Sequence, residues 1–134
     1  MSISGHCLCG AVTISTTADP VFSANCHCTD CRHSTGAAYA TLLFFKEDDV
    51  SITGDRATFS HPSDRGTTLT KSFCPKCGSP IASQNTARPG MIGIRAGQID
   101  QPEAIKPERN VFLDSKLPST PIDESLEGSP RMPG

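Results

Sequence analysis

Seven cysteines lie in three short groups and carry most of the chemical information in this chain of 134 residues. Spacings of one and two residues suit a shared metal ion better than a disulfide framework. Four of the seven would close a tetrahedral structural zinc site, and the other three would leave one corner free for chemistry. The groups are Cys7-x-Cys9, Cys26-x-Cys28-x-x-Cys31 and Cys74-x-x-Cys77.

The first and last groups together can supply four ligands. The stretch Phe73-Cys74-Pro75-Lys76-Cys77-Gly78 has the form of a zinc knuckle, in which proline presets the turn and glycine follows the second ligand. In Gly5-His6-Cys7-Leu8-Cys9-Gly10 the two thiols lie on the same side of an extended stretch. A redox-active dithiol is the alternative for Cys74-x-x-Cys77. Such motifs open a helix in a βαβ unit, and the sequence pattern shows none. We interpret His6 as a surface residue.

The middle group places three thiols within six residues, so one short segment can bring Cys26, Cys28 and Cys31 onto one ion. The fourth corner is open to water, to a substrate thiol or to a protein ligand from His27, His33 or Asp30. Because His27 lies between two ligands, we expect its side chain to point away from the metal and to be exposed or packed. Reversible disulfide formation among the three thiols, with loss of zinc, is a further alternative.

Composition narrows the function classes. Hydrophobic residues are 36% and aromatic residues 5%, with 11 glycines and 11 prolines, so a lean core is expected to depend on metal cross-links. The formal charge of -2 would fall to about -5 with seven thiolates and two zinc ions. Since no run of Lys or Arg occurs, we expect no nucleic-acid or membrane partner. The cations nearest the cysteines in sequence, Arg32, Lys71 and Lys76, either neutralise thiolates or lie in solvent.

No targeting or membrane-spanning segment is visible in the sequence, and we therefore expect a cytoplasmic protein. In that reducing compartment, clustered cysteines more often bind metal than form disulfides.

Short strands must position these thiols. Stretches rich in β-formers predict strands near 12–15, 38–45, 50–53, 57–60, 67–73, 91–96 and 110–113. A helical period is not sustained, although one helical turn is expected at 29–34 with Thr29 or Asp30 as its cap. The predicted fold class is mainly β, a single-domain, zinc-stabilised sandwich or open barrel of mostly antiparallel strands.

Residues 118–134 contain four prolines and no cysteine. This composition predicts an extended tail that is loosely packed or partly disordered. The alternative is a tail that clasps the outside of the domain.

The chain resembles the family of glutathione-dependent formaldehyde-activating enzymes, which includes centromere protein V. The resemblance covers about residues 4–117 in order and register, and the motifs are specific to the family in combination. The matching residues are Gly5-x-Cys7-x-Cys9-Gly10, Cys26-His27-Cys28-x-x-Cys31-Arg32, Gly36, Phe73-Cys74-x-x-Cys77-Gly78-Ser79-Pro80, Ile94-Arg95-Ala96-Gly97 and Asp114-Ser115-Lys116.

The resemblance implies a β domain at residues 1–117 with two zinc ions. Cys7, Cys9, Cys74 and Cys77 would hold the structural zinc, and Cys26, Cys28 and Cys31 the second, catalytic zinc. It also implies a carbon–sulfur lyase that adds glutathione to formaldehyde. Zinc would favour the thiolate form of the substrate or polarise the carbonyl, and the sequence does not separate these routes. A non-catalytic zinc-stabilised binding module and a thiol redox sensor remain as alternatives.

The last third of the chain departs from the family pattern. Asn110-Val111-Phe112 stands where members tend to carry a histidine and an aromatic residue, and Lys116 is followed by Leu117-Pro118-Ser119 without a tryptophan. If these residues line the substrate pocket, the substrate differs from glutathione with formaldehyde. The sequence does not fix the oligomeric state.

Overall fold

Eleven short strands, one α-helix and four short 3₁₀ helices make up the regular structure of the computed structural model, which describes residues 2–132. The helix, α1, spans Thr29–Thr35. No helix in these described residues is long and apolar enough to cross a membrane. The strands are β1 (Ile3–His6), β2 (Thr13–Thr16), β3 (Phe22–Cys26), β4 (Ala40–Lys46), β5 (Ser51–Thr53), β6 (Ala57–Pro62), β7 (Thr68–Phe73), β8 (Pro80–Asn85), β9 (Met91–Arg95), β10 (Arg109–Val111) and β11 (Glu127–Gly128).

The strands form two open sheets. One is three-stranded with the order β1-β2-β5, and the other is eight-stranded with the order β11-β10-β3-β4-β9-β8-β7-β6. All pairings are antiparallel except those of β10, which runs parallel to both β3 and β11. The prediction of a mainly β, mostly antiparallel fold is therefore confirmed.

Two cores lie on opposite faces of the eight-stranded sheet. Because side chains alternate along a strand, β4 contributes to both. Leu43 and Phe45 pack into the main core together with buried residues of the three-stranded sheet, such as Ile14. Leu42 belongs to a smaller core on the other face. Each core contains cysteines, namely Cys7 and Cys74 in the main core and Cys26 and Cys31 in the smaller one.

Helix α1 begins at a cysteine. Its N-cap is Cys28, whose Sγ accepts a hydrogen bond from the backbone N–H of Cys31 at 3.2 Å. The cap predicted at Thr29 or Asp30 is thus one or two residues late. A sulfur that carries negative charge suits a helix N-terminus, where unpaired N–H groups and the helix dipole favour anions.

The described part of the predicted tail, residues 118–132, packs against the domain, which is the second of the two arrangements considered for it. Its strand β11 pairs with β10 at the edge of the large sheet, with Arg109 opposite Glu127 and Asn110 opposite Gly128. Met1, Pro133 and Gly134 lie outside the described residues, so the predictions for the ends of the chain are not addressed there.

We expect Gly54→Ala to destabilise the fold for two separate reasons. Gly54 connects β5 to β6 with φ +106°, and a Cβ there would collide with the carbonyl oxygen of Ala11, beside the turn that carries Cys7 and Cys9. Backbone strain and steric overlap should together lower the free energy of unfolding by about 3 kcal/mol. Urea denaturation of the purified variant measures this loss.

Gly66→Ala is the matched control. Gly66 has φ +81°, but a Cβ added there would meet no atom within 4 Å, so only the strain applies. Its cost should be about 1 kcal/mol. Equal losses for the two variants would contradict the close approach at Gly54.

Candidate metal centres

The first and last cysteine groups meet in space. The Sγ atoms of Cys7, Cys9, Cys74 and Cys77 all lie within 4.8 Å of one another, and we call this set the four-cysteine cluster. The Sγ of Cys9 is 3.6 Å from that of Cys7 and 3.7 Å from that of Cys74. Sulfurs bound to one tetrahedral zinc at about 2.3 Å lie about 3.8 Å apart. The donor set and its spacing therefore fit one four-coordinate metal ion.

Two similar turns bring these thiols together. In each, the N–H of a glycine donates to the carbonyl of the first cysteine, from Gly10 to Cys7 at 3.0 Å and from Gly78 to Cys74 at 2.8 Å. Both glycines have positive φ, +81° and +77°, which closes the turn after the last ligand of each. Because one turn follows β1 and the other follows β7, the cluster joins the two sheets.

Ser79 connects the two turns, and its signal in the sequence was its place in the resemblance motif that contains Cys74 and Cys77. Its hydroxyl accepts a hydrogen bond from the N–H of Leu8 at 3.1 Å and lies 3.2 Å from the Sγ of Cys77. The hydrogen bond from this hydroxyl, followed by one from the backbone, lowers the pKa of Cys77 to about 5. The surroundings of the four-cysteine cluster therefore favour the thiolate form of Cys77.

The middle group forms a separate cluster. The Sγ atoms of Cys26, Cys28 and Cys31 lie within 4.8 Å of one another, and we call them the three-cysteine cluster. Cys26 is the last residue of β3, while Cys28 and Cys31 belong to the start of α1. In the described part of the chain, no histidine or carboxylate joins this set. Three sulfurs can hold a metal ion and leave its fourth position open.

The three thiols lie so close together that they influence one another's pKa. Hydrogen bonds from the thiols of Cys26 and Cys28, and in addition the charge of Arg95, lower the pKa of Cys31 to about 3. The hydrogen bonds to Cys28 and Cys31 raise the pKa of Cys26 strongly. The first thiolate therefore suppresses the others. A divalent cation among them would remove this opposition, because it favours the deprotonated form of every ligand.

Arg95 is the cation that lies beside the three-cysteine cluster. Its side chain is buried, with Nη1 4.0 Å from the Sγ of Cys31 and Nη2 donating to the hydroxyl of Ser34 at 3.4 Å. Its Nε has no hydrogen-bond partner among residues 2–132. The sequence analysis considered Arg32, Lys71 and Lys76 for this role, because they lie nearest the cysteines along the chain. The sequence pointed to Arg95 only through the motif Ile94-Arg95-Ala96-Gly97, which is part of the family resemblance.

The residues considered for the fourth corner, His27, His33 and Asp30, join neither cluster, and neither does His6. His27 is 1% exposed and packs on Tyr39 with ring centroids 4.7 Å apart, and neither ring nitrogen has a partner within the described residues. Burial, together with the charge of Lys116, lowers the pKa of His27. His6 is exposed, and its Nε2 lies 3.2 Å from the carboxylate of Asp100. His27 is therefore packed and His6 lies at the surface, as expected.

A cavity of about 390 Å³ adjoins the three-cysteine cluster. It lies on the face of the eight-stranded sheet that the three-stranded sheet does not cover. Phe44 and Gly93, paired between β4 and β9, form part of its floor. A Cβ at Gly93 would lie 3.0 Å from the Phe44 ring, so the ring rests directly over the strand. Phe22 stacks on Phe44 at 4.4 Å and holds it in place.

The cavity lining is rich in cations. One of them, Arg88, has its guanidinium 5.4 Å from the centre of the Phe22 ring. The carboxylates in the lining are those of Asp30 and Asp64. An anionic ligand therefore suits this space better than a cationic one. The lining cations are Arg65, Lys71, Arg88, Arg95 and Arg131.

Comparison with known proteins agrees with the sequence motifs. The sequence model of the family described as glutathione-dependent formaldehyde-activating enzyme matches residues 2–115. No curated protein sequence matches significantly. Among solved structures, a crystal structure of a Rhodobacter sphaeroides protein aligns with a TM-score of 0.57 over 75% of this chain and 92% of that chain, at 20% identity. At this identity, the likeness supports the fold alone.

We expect Cys77→Ser to destabilise the domain far more than Cys28→Ser. Loss of a ligand from the four-cysteine cluster removes the junction of the two sheets and should cost at least about 3 kcal/mol of unfolding free energy. At Cys28 the serine hydroxyl can still cap α1, so the loss should stay below about 1.5 kcal/mol. Thermal and urea denaturation of the two variants measure the difference. Similar melts would contradict the separate roles of the clusters.

Proposed function

Since the chain belongs to the family of glutathione-dependent formaldehyde-activating enzymes, we propose that it is a zinc-dependent carbon–sulfur lyase that joins glutathione to formaldehyde. One observation carries the proposal: a cluster of three thiols, with no fourth protein ligand among the described residues, lines a cavity large enough for a substrate. A closed four-ligand site would leave no position for a substrate.

The proposal assigns two zinc ions to each chain. Cys7, Cys9, Cys74 and Cys77 hold the structural ion, and Cys26, Cys28 and Cys31 hold the second ion. The sulfurs of each cluster lie at the spacing of ligands to one ion, which supports metal ligation over disulfides. The proposed setting is the cytoplasm, where clustered cysteines more often bind metal. When bound at the three-cysteine cluster, zinc would favour the deprotonated form of a thiol at its free corner.

The charges around the cavity support glutathione as the thiol. Glutathione carries carboxylates at both ends, and the lining contains five cationic side chains but only two carboxylates. Arg95 is the most significant of the cations, because it is buried and its Nε is unpaired within residues 2–132. A buried positive charge beside the cavity favours an anionic group bound there, such as a carboxylate or the thiolate of the substrate.

Part of the cavity lining is apolar and would shield a bound thiol from water. Leu42, Phe44 and Met91 are apolar residues of the cavity lining. These side chains exclude water from one side of a bound thiol, and exclusion of water strengthens the attraction between charged groups in the cavity. Stacking on Phe22 holds the Phe44 ring in place before a ligand binds.

The bond changes of the proposed reaction balance without an oxidant or reductant. The glutathione sulfur forms a bond to the carbon of formaldehyde, and the carbon–oxygen π bond breaks. The proton lost from the thiol ends on the new hydroxyl oxygen. The product is S-hydroxymethylglutathione. In the reverse direction, the same atoms separate into the thiol and the aldehyde, which is the lyase reaction.

We expect the zinc-loaded protein to accelerate exchange between formaldehyde and S-hydroxymethylglutathione by at least about tenfold over buffer. Exchange NMR of protein, glutathione and formaldehyde measures the rate directly. Cys28→Ser should return the rate to that of buffer, because it removes a thiol of the three-cysteine cluster while a serine still caps α1.

A neutral thiol provides the substrate control. With 2-mercaptoethanol in place of glutathione, the acceleration should largely disappear, since this thiol offers no carboxylate to the cationic lining. Wild-type protein that holds two zinc ions and gives no acceleration with glutathione would exclude the proposed reaction. Such a result would favour a zinc-stabilised binding module.

A further inference from the structure

The segment at residues 116–132, here called the strap, follows the part of the chain that matches the family, which ends at residue 115. It starts at Lys116, whose ammonium group donates to the carbonyls of Leu117 at 2.9 Å and Thr120 at 2.8 Å. These bonds stabilise the turn in which the N–H of Thr120 donates to the carbonyl of Leu117 at 3.0 Å. The family match therefore gives no information about the path of the strap.

The strap returns along the edge of the large sheet. Its strand β11 runs parallel to β10, and the backbone pairing continues beyond both strands. This ladder fixes the path of the last described residues. The bonds run from the N–H of Ser129 to the carbonyl of Asn110 at 2.9 Å, from Leu113 to Ser129 at 3.1 Å and from Asp114 to Pro130 at 3.2 Å.

Asn110 anchors the strap to the sheet. Its side chain is 1% exposed, and its Nδ2 donates to the backbone carbonyl of Asp123 in the strap at 3.0 Å. Its Oδ1 accepts from Nδ2 of Asn25 at 3.2 Å, and Oδ1 of Asn25 accepts from the hydroxyl of Thr41 at 2.6 Å. Because Asn25 directly precedes Cys26, one chain of hydrogen bonds links the strap to the strand that carries a thiol of the three-cysteine cluster.

The end of the strap reaches the cavity. Arg131 and Met132 both line it, and Met132 packs against the small core that contains Cys26 and Cys31. Phe112 lies in the same wall with φ +57°, the left-handed region that a bulky side chain rarely adopts. Its N–H faces the carbonyl of Arg131 at 3.5 Å. An unfavourable backbone conformation is thus maintained where the strap meets the cavity.

We propose that the strap is a wall of the thiol-binding cavity and limits the size of the molecules that reach the three-cysteine cluster, with Asn110 as its anchor and Met132 as its contact at the cluster. The proposal rests on the proposed function, since we take the molecule that enters the cavity to be the substrate thiol. Arg131 adds a cation at the same wall, which suits a thiol that carries carboxylates.

The test compares two maleimides of different size on the full-length, zinc-loaded protein. Zinc ligation slows both reagents at Cys28 alike, so the ratio of their rates reports the size limit. N-ethylmaleimide is the small reagent and fluorescein-5-maleimide is the bulky one. Peptide mass spectrometry gives the modification rate at Cys28, which lines the cavity and is half-buried. The rate at the exposed Cys9 of the four-cysteine cluster is an internal control in the same sample.

We expect Met132→Ala to raise the rate of Cys28 with the bulky reagent about tenfold, because it removes the steric barrier, and the rate with the small reagent less than twofold. Asn110→Asp should act in the same direction, since a carboxylate cannot donate to the carbonyl of Asp123. The matched control, Glu124→Gln, changes an exposed residue of the strap and should leave both rates unchanged. The rate at Cys9 should stay constant throughout.

Equal rates of Cys28 with the bulky reagent in wild type and Met132→Ala would overturn the proposal. An equal increase for both reagents would overturn it as well, since that pattern shows general loosening without a size limit. The Met132→Ala result decides the matter even where Asn110→Asp does not fold. If the size limit depends on the strap but the protein forms no adduct of glutathione with formaldehyde, the wall is supported and the proposed reaction is overturned. Failure of the wall and failure of the reaction are therefore distinguishable.

Discussion

The convergence of two cysteine-bearing turns is the constraint on which the rest of the structure depends. One turn follows the first strand of the small sheet and the other follows β7 of the large sheet, so the four-cysteine cluster holds the two sheets face to face. The core between them is lean, and closing a loop of more than sixty residues is entropically costly in an unlinked chain. A metal ion shared by the four thiols would offset much of this cost.

The small sheet covers one face of the large sheet, and the opposite face is free to bind a ligand. The stacked pair of Phe22 and Phe44, the glycine at position 93 and the buried Arg95 make up a preformed surface beside the three-cysteine cluster. Two cysteine clusters with similar chemistry can therefore have different consequences. The four-cysteine cluster is surrounded by its own turns, whereas the three-cysteine cluster adjoins open space.

The sequence predicted the parts of the molecule that local spacing determines. Both clusters, the β-rich fold and the helical turn after Cys28 follow from residue spacing and β propensity. Strands β1, β3, β8 and β11 were not predicted, because Gly, Ser, Asn and Pro weaken their patterns and pairing with neighbours stabilises them. Arg95 and the strap were also missed as neighbours of the three-cysteine cluster. Both reach it through pairings between distant segments, which a single sequence does not reveal.

The two clusters should differ in one respect: four cysteines complete the coordination of a metal ion in one, whereas three cysteines leave one position open in the other. Zinc quantification combined with X-ray absorption at the zinc edge measures this difference. We expect two zinc ions per chain, with about 3.5 sulfur ligands per zinc on average and a lighter fourth ligand at one of them. A single zinc per chain, or the scattering signature of a histidine ring at the second zinc, would contradict this expectation.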